Sequence, residues 1–178
     1  AEIPDDFYSQ IALVHSKAER EAEDPLERYR DRVREFPPTK RLYYDSPHDM
    51  EFEATVLATF DGLAVLDRTL FYPAGGGQPS DTGTLMASEG IVRVDSAVKL
   101  GEVILHQTKG GVLKAGEKVK GKLDEERRLS LMRHHTGTHI LLHACKVVLG
   151  SHVHQAGAQK GSDSARLDIR HFRHITPE

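Results

Sequence analysis

His135 and His139 lie four residues apart in the stretch LMRHHTGTHILLHACKVVLG, Leu131 to Gly150. On a helix that spacing places both imidazoles on one face, about 5–6 Å apart at Cβ, where a single ion can be chelated. A zinc-protease helix would carry glutamate directly after the first histidine; Thr136 stands there, so that general base is absent. The small residues Thr136, Gly137 and Thr138 leave room around the rings where a core helix would place leucine. In a chain with 11 histidines, a surface or capping role for the pair is the plainer alternative. His143 continues the stripe but sits about 12 Å along the axis from His135, too far to share an ion. Cys145 points about 120° away from His139 and is expected to be a buried, inert thiol. A four-coordinate zinc needs two more ligands, which this segment does not offer.

The second stretch with chemical potential is RTLFYPAGGGQPSDTG, Arg68 to Gly83. A strand running into three glycines and a glutamine makes a loop whose backbone can approach a ligand closely and present N–H groups. No helix pattern follows at once, which excludes a P-loop or a dinucleotide fingerprint. A tight loop after a strand is the structural alternative.

Three kinds of segment must position these residues. From Ile3 to Glu35 the pattern is helical, with Phe7, Ile11 and Val14, then Leu26, Tyr29 and Val33, marking apolar faces. Pro37 and Pro38 end it. From Arg41 to Lys120 the chain reads as β: EFEATVLATF, GLAVLDRTLFY, IVRVDSAV, EVILHQT and EKVKGKL are strands between glycine-containing turns, suited to a small barrel or bent sheet. From Asp124 a charged helical start leads into the histidine helix. HVHQAGAQ is then one strand, KGSDS a turn, and ARLDIRHF an antiparallel partner with alternation of Leu167 and Ile169, continued towards Phe172. The fold class is therefore α+β: N-terminal helices over 1–38, a β-barrel over 39–120, and a helix packed on an antiparallel sheet over 121–178.

Composition bounds the function. Of the 178 residues, 38% are hydrophobic and 29% charged, which suits a modest core under a large solvated surface. No apolar run approaches the ~18 residues of a membrane span, so no membrane partner is expected. One cysteine excludes an internal disulfide framework and suits a reducing cytoplasm. Net charge is -3, which argues against a general nucleic-acid binder. From Lys109 to Arg133, however, eight bases face four acids. Lys118, Lys120, Lys122, Arg127, Arg128 and Arg133 are the candidates for contact with nucleic-acid phosphates, a solvated charged face being the alternative. The opening AEIPDD and closing HITPE read as the ends of a piece cut from a longer protein.

Motif order adds an identification. DRTLFYPAGGGQPSDTG, RRLSLMRHHTGTHILLHA, LGSHVHQAGAQ and ARLDIRHF, in that sequence, resemble the editing region of archaeal-type alanyl-tRNA synthetases and the AlaX-type trans-editing proteins. IPDDFYSQIALVHSKAE resembles the helical region that precedes editing in those synthetases and is lacking in AlaX-type proteins. The resemblance implies a parent that ligates alanine to its tRNA using ATP bound outside this chain. It implies a translation-factor-like barrel and a domain that hydrolyses the ester of serine or glycine mischarged on the alanine tRNA. A small alanine pocket cannot strongly reject glycine or serine, so a second site must correct the error.

Carried over by motif, His135 and His139 are half of a zinc site. Its Cys-x-x-x-His half is expected downstream of Glu178, since Cys145 is followed by Leu149 at that spacing. Gln155 and Thr69 are implied as catalytic-pocket residues, and Gly75, Gly76, Gly77 and Gln78 as the substrate loop. His154 is a possible substitute ligand, whereas His134, His152, His171 and His174 are expected at the surface. The implied partner is the acceptor arm of the alanine tRNA, with dimerisation through regions outside this chain. The rival readings are a non-catalytic module binding that arm, and an AlaX-type hydrolase complete in itself.

Overall fold

The computed structural model describes residues 26–175. The helical reading of Ile3 to Asp24 lies outside them. Within them, Glu27–Tyr29 forms a single 3₁₀ turn that passes directly into α1, Arg30–Val33. Strand β1 is Lys40–Arg41 and helix α2 is Leu42–Asp45. The barrel strands are β2, Glu51–Phe60; β3, Leu63–Leu66; β5, Gly83–Ala87; β6, Gly90–Leu100; β7, Val103–Lys109; and β8, Lys118–Leu123. Strand β4, Arg68–Thr69, pairs in parallel with β1 outside the barrel. Helix α3 runs Glu125–Leu149, followed by β9, His154–Lys160, and β10, Ala165–Arg170.

The six barrel strands close in the order β2-β3-β7-β6-β5-β8, all antiparallel. Closure removes the exposed edges that an open sheet of short strands would present. Alternation along β2 and β8 sends Phe52, Ala54, Val56 and Val119 inward and Glu51, Glu53, Lys118 and Lys120 outward. Strand β3 does not alternate; all of Leu63, Ala64, Val65 and Leu66 are buried. Ala64 and Leu66 face the barrel interior with Phe71, Leu85 and Ile104, while Leu63 and Val65 lie under Tyr29 and Val33. The N-terminal turns thus supply a second apolar layer, which is why the run LAVL is continuous. Strand β5 is absent from the sequence reading because its five residues sit between glycine-bearing turns, yet it bridges β6 and β8.

Helix α3 begins earlier than the histidine stretch alone suggests. Asp124 is its N-cap, its carboxylate accepting from the Arg127 N–H at 3.1 Å, and Glu125 and Glu126 occupy the first turn, where the helix dipole favours anions. Gly150 closes the helix, its N–H bonded to the Lys146 carbonyl. His135 and His139 are therefore mid-helix residues rather than first-turn ones. The antiparallel pair β9–β10 packs against α3, with a bulge between Asp168 and Ile169. Phe172 does not extend β10; it lies beyond the strand and is exposed.

Candidate functional site

The glycine run forms a four-residue turn closed by reciprocal backbone bonds of 3.0 Å between Gly75 and Gln78. Gly76 and Gly77 both have positive φ, 58° and 75°, which a type I′ turn requires at its two central positions. Gly77 meets a second demand: a Cβ there would lie 2.0 Å from the Ala158 carbonyl oxygen. The turn is thus pressed onto β9. Lys160 fixes it, its N–H bonding the Gly77 carbonyl at 2.8 Å and its Nζ the Gly76 carbonyl at 2.9 Å. Lys160 is buried, and the sequence places it in a turn; it is the end of β9.

Gln78, at the far end of the turn, reaches α3. The His135 Nδ1–H donates to Gln78 Oε1 at 3.1 Å, which leaves the His135 Nε2 lone pair free. That Nε2 stands 3.2 Å from Nε2 of His139. Two nitrogens bound to one tetrahedral zinc at about 2.0–2.1 Å each would be about 3.3–3.4 Å apart, so the pair fits two corners of such an ion. The Gln78 contact is of the kind that can orient a histidine for metal binding. Desolvation first, then the Lys160 charge and His139, holds the His135 pKa below its usual value, which keeps the imidazole in the neutral form that ligation needs. Among the described residues no third His, Cys, Asp or Glu joins the pair. His154 is therefore not a substitute ligand, because β9 does not bring it to the pair.

The other candidates are placed as follows. Gln155 is exposed on β9, opposite Ile169 at the bulge, on the strand that receives the glycine turn. Thr69 is fully buried. Its hydroxyl donates to His106 Nε2 at 2.9 Å and accepts the Phe71 N–H at 3.0 Å. His106 is held neutral by its burial, with a pKa of about 4.

Arg128 is also corrected. Expected as a phosphate contact, it is 4% exposed. Its Nε and Nη2 donate to Asp81 Oδ2 at 2.9 and 2.6 Å, and Nη2 also reaches the Leu70 carbonyl at 2.5 Å. The charge is consumed in fastening α3 to the barrel. Lys120 and Lys122 project outward but share Glu51, at 2.8 and 3.3 Å, which halves the net positive charge they present. Lys118 and Arg133 are exposed. Arg127 is half-buried, its Nε on the Ser80 carbonyl at 3.2 Å.

The remaining histidines and the cysteine follow local packing. His134 donates from Nδ1 to the Gly161 carbonyl at 2.7 Å, holding α3 to the β9–β10 turn. His152 and His171 pair with each other at 2.8 Å. Cys145 is only half-buried, so the expected buried thiol is not found.

Beside the histidine pair lies a cavity of about 250 Å³. Its lining includes Tyr43, Tyr72, Gln78, Met132 and His135. Sequence reading missed Tyr43 and Lys160, which belong to no motif whose spacing signals chemistry, and Tyr72, which lies in the glycine-run stretch but ahead of the glycines that drew notice.

The family model for class II tRNA synthetases (A) matches residues 2–127, ending in the first turn of α3. Alanine–tRNA ligases of Methanoculleus marisnigri and Methanoregula boonei are 68% and 63% identical to the chain, and that of Korarchaeum cryptofilum 49%. Each match covers 99% of this chain and 20% of the relative, so the chain spans about a fifth of their length. No helix among the described residues is long and apolar enough to cross a membrane. The chain belongs to the class II tRNA synthetase (A) family.

Proposed function

We propose that this chain is the part of an alanine–tRNA ligase that carries the barrel and the first half of an editing site, acting on alanine tRNA mischarged with serine or glycine. The observation that supports it is the convergence of three separate segments: the Gly75–Gln78 turn, the His135–His139 face of α3, and β9 with Gln155. Ligation of alanine would use ATP at a site outside the chain, in a cytoplasmic and dimeric parent.

Ester hydrolysis needs an oriented carbonyl, a water delivered to it, and a place for the tRNA end. Gly77 presses the turn onto β9, while at Gly75 and Gly76 a Cβ would meet nothing within 4 Å, so an acceptor end can lie along that open side of the turn. Gln78 fixes the tautomer of His135 and holds its Nε2 toward His139. His135 and His139 would hold zinc with two ligands from the segment beyond Glu178; when bound, zinc supplies Lewis acidity toward the ester or its attacking water. Gln155, exposed on β9, is available to hydrogen-bond the substrate amino acid or the water. Thr69 acts at one remove: its hydroxyl ties His106 to Phe71, fixing the strand end from which the turn departs.

The test is deacylation of serine-charged alanine tRNA by the full-length ligase and its His139→Ala variant. Hydrolysis falling by at least about a hundredfold in the variant, with alanylation unchanged, is the expected result. Equal hydrolysis in both would remove the histidine pair from the reaction. The rival reading, a purely tRNA-binding barrel, draws less support because Arg128 is buried and Lys120 and Lys122 share Glu51.

A further inference from the structure

Lys160 is 7% exposed, yet no carboxylate among the described residues forms an ion pair with it. A buried ammonium without a counter-charge is costly. Its bonds go instead to the glycine turn, Nζ to the Gly76 carbonyl at 2.9 Å and N–H to the Gly77 carbonyl at 2.8 Å.

Those bonds fix the direction of the turn's central peptide. In a trans peptide the carbonyl and the N–H that follows it point opposite ways. With the Gly76 carbonyl drawn onto Lys160, the Gly77 N–H is aimed away from it. Neither the Gly76 nor the Gly77 N–H has an acceptor among the described residues. Both glycines are exposed and have positive φ, and successive N–H groups in that conformation form a concavity suited to negative charge. Gln78, the next residue, holds His135, so the turn is tied to the face of α3 that carries the histidine pair.

The position of the cation decides what kind of negative charge fits. Lys160 stands behind the peptide, and a ligand on the open side meets only N–H groups. A phosphate would surrender strong hydration for two neutral donors. An oxyanion that forms in place has no such hydration to lose, and fixed dipoles stabilise it without reorganising.

We infer that the Gly77 N–H, backed by Lys160, receives the negative charge that develops on the ester carbonyl oxygen during hydrolysis. The inference rests on the editing reading for the identity of the substrate. As the oxygen of water bonds to the carbonyl carbon, the π pair moves onto the carbonyl oxygen, to which the Gly77 N–H donates. When that pair returns, the bond to the ribose oxygen breaks, and the proton lost by the water ends on that oxygen. Lys160 is a positioning residue: it aims the peptide and, by drawing electron density onto the Gly76 oxygen, strengthens the Gly77 N–H as a donor.

Two measurements on the full-length ligase separate this inference from the reading beneath it. The first is binding, with the aminoacylation site filled by a non-hydrolysable alanyl-adenylate analogue. One probe is 3′-seryl-adenosine with an anionic phosphonate in place of the ester carbonyl; the other is 3′-serylamino-3′-deoxyadenosine, which is flat and neutral there. Lys160→Met should weaken the phosphonate about tenfold or more and leave the amide almost unchanged. Lys160→Gln keeps an N–H for the Gly76 carbonyl but no charge, and should also weaken the phosphonate selectively. Equal effects on the two probes in both variants overturn the inference. The second is hydrolysis of serine-charged alanine tRNA. Lys160→Met should lower kcat about tenfold or more with KM within about twofold. A raised KM with unchanged kcat overturns the inference and leaves the editing reading standing. Wild-type protein that holds the phosphonate through Lys160 but hydrolyses no ester would overturn the editing reading, and with it the oxyanion role.

Discussion

The barrel and the α3–β9–β10 unit are held together in different ways. In the barrel, closure satisfies every strand edge and the interior is filled by Phe52, Val56, Leu66, Phe71, Leu85, Val94 and Ile104. In the helical unit, the buried residues of α3 are Arg128, Leu131 and Thr138, two of them polar, and most of β9 and β10 is exposed. Ile140, Leu141, Val147 and Val148 on α3 stand more than half exposed. One half is a scaffold stabilised by nonpolar burial; the other is positioned by a few directional contacts. The candidate site residues on the second half are therefore placed by Arg128, Lys160, Gln78 and His134 rather than by a core of their own.

This contrast can be broken most directly at Arg128. Arg128→Met leaves Asp81 buried and uncompensated, beside an Oδ1 that already lacks a partner, and should cost about 3–5 kcal/mol. Hydrogen exchange should show α3, β9 and β10 losing protection while β6 and β7 keep theirs. Loss of protection in all strands together would show that the two halves are one cooperative unit.

Acid should act on the barrel instead. His106, fully buried, has its pKa lowered from 6.5 to about 4, because burial disfavours its charged form. The unfolded chain takes up the proton first as pH falls. The stabilisation is thus complete above about pH 6.5, declines as pH falls towards 4, and is lost below it, amounting to about 3 kcal/mol. His106→Asn should flatten that part of the unfolding curve. A wild-type barrel with constant stability from pH 7 to 4 would contradict the burial argument.

The loop between the halves comes next. Gly77→Ala forces a side chain against the Ala158 carbonyl and into positive φ, at about 2 kcal/mol, lifting the turn from β9. Serine-tRNA hydrolysis should be lost while the barrel's circular dichroism is unchanged. Hydrolysis at the wild-type rate would mean that the turn need not touch β9.

The smallest effect has opposite signs in the two readouts. A Cβ at Gly137 would meet nothing within 4 Å, so no described residue requires glycine there. Gly137→Ala should raise the stability of α3 by about 0.5–1 kcal/mol through helix propensity. If Gly137 gives clearance to the substrate, hydrolysis falls at the same time. Unchanged hydrolysis with raised stability would make the glycine incidental.

Amino-acid order by itself determined most of the barrel. Period-2 alternation in EFEATVLATF and EKVKGKL matches β2 and β8, because one face meets a core and the other meets water. It also determined the β9–β10 hairpin, and the spacing of His135 and His139 placed both imidazoles on one face before any tertiary contact was known. Motif order pointed to the synthetase family for the same reason: a site built from separated segments leaves its residues at fixed places along the chain.

Tertiary structure decided the rest. Local pattern cannot say that β5 is the strand that closes the ring, since its partners β6 and β8 owe their adjacency to the barrel as a whole. Nor can it distinguish Arg128 from Arg127: neighbours in sequence, they lie about 100° apart on the helix, and only the first turns into the Asp81 junction. Lys160 beneath the glycine turn, Gln78 on His135 and Thr69 on His106 span between 37 and 84 residues of sequence. Such contacts depend on which surfaces the folded layers press together, and no short-range periodicity records that.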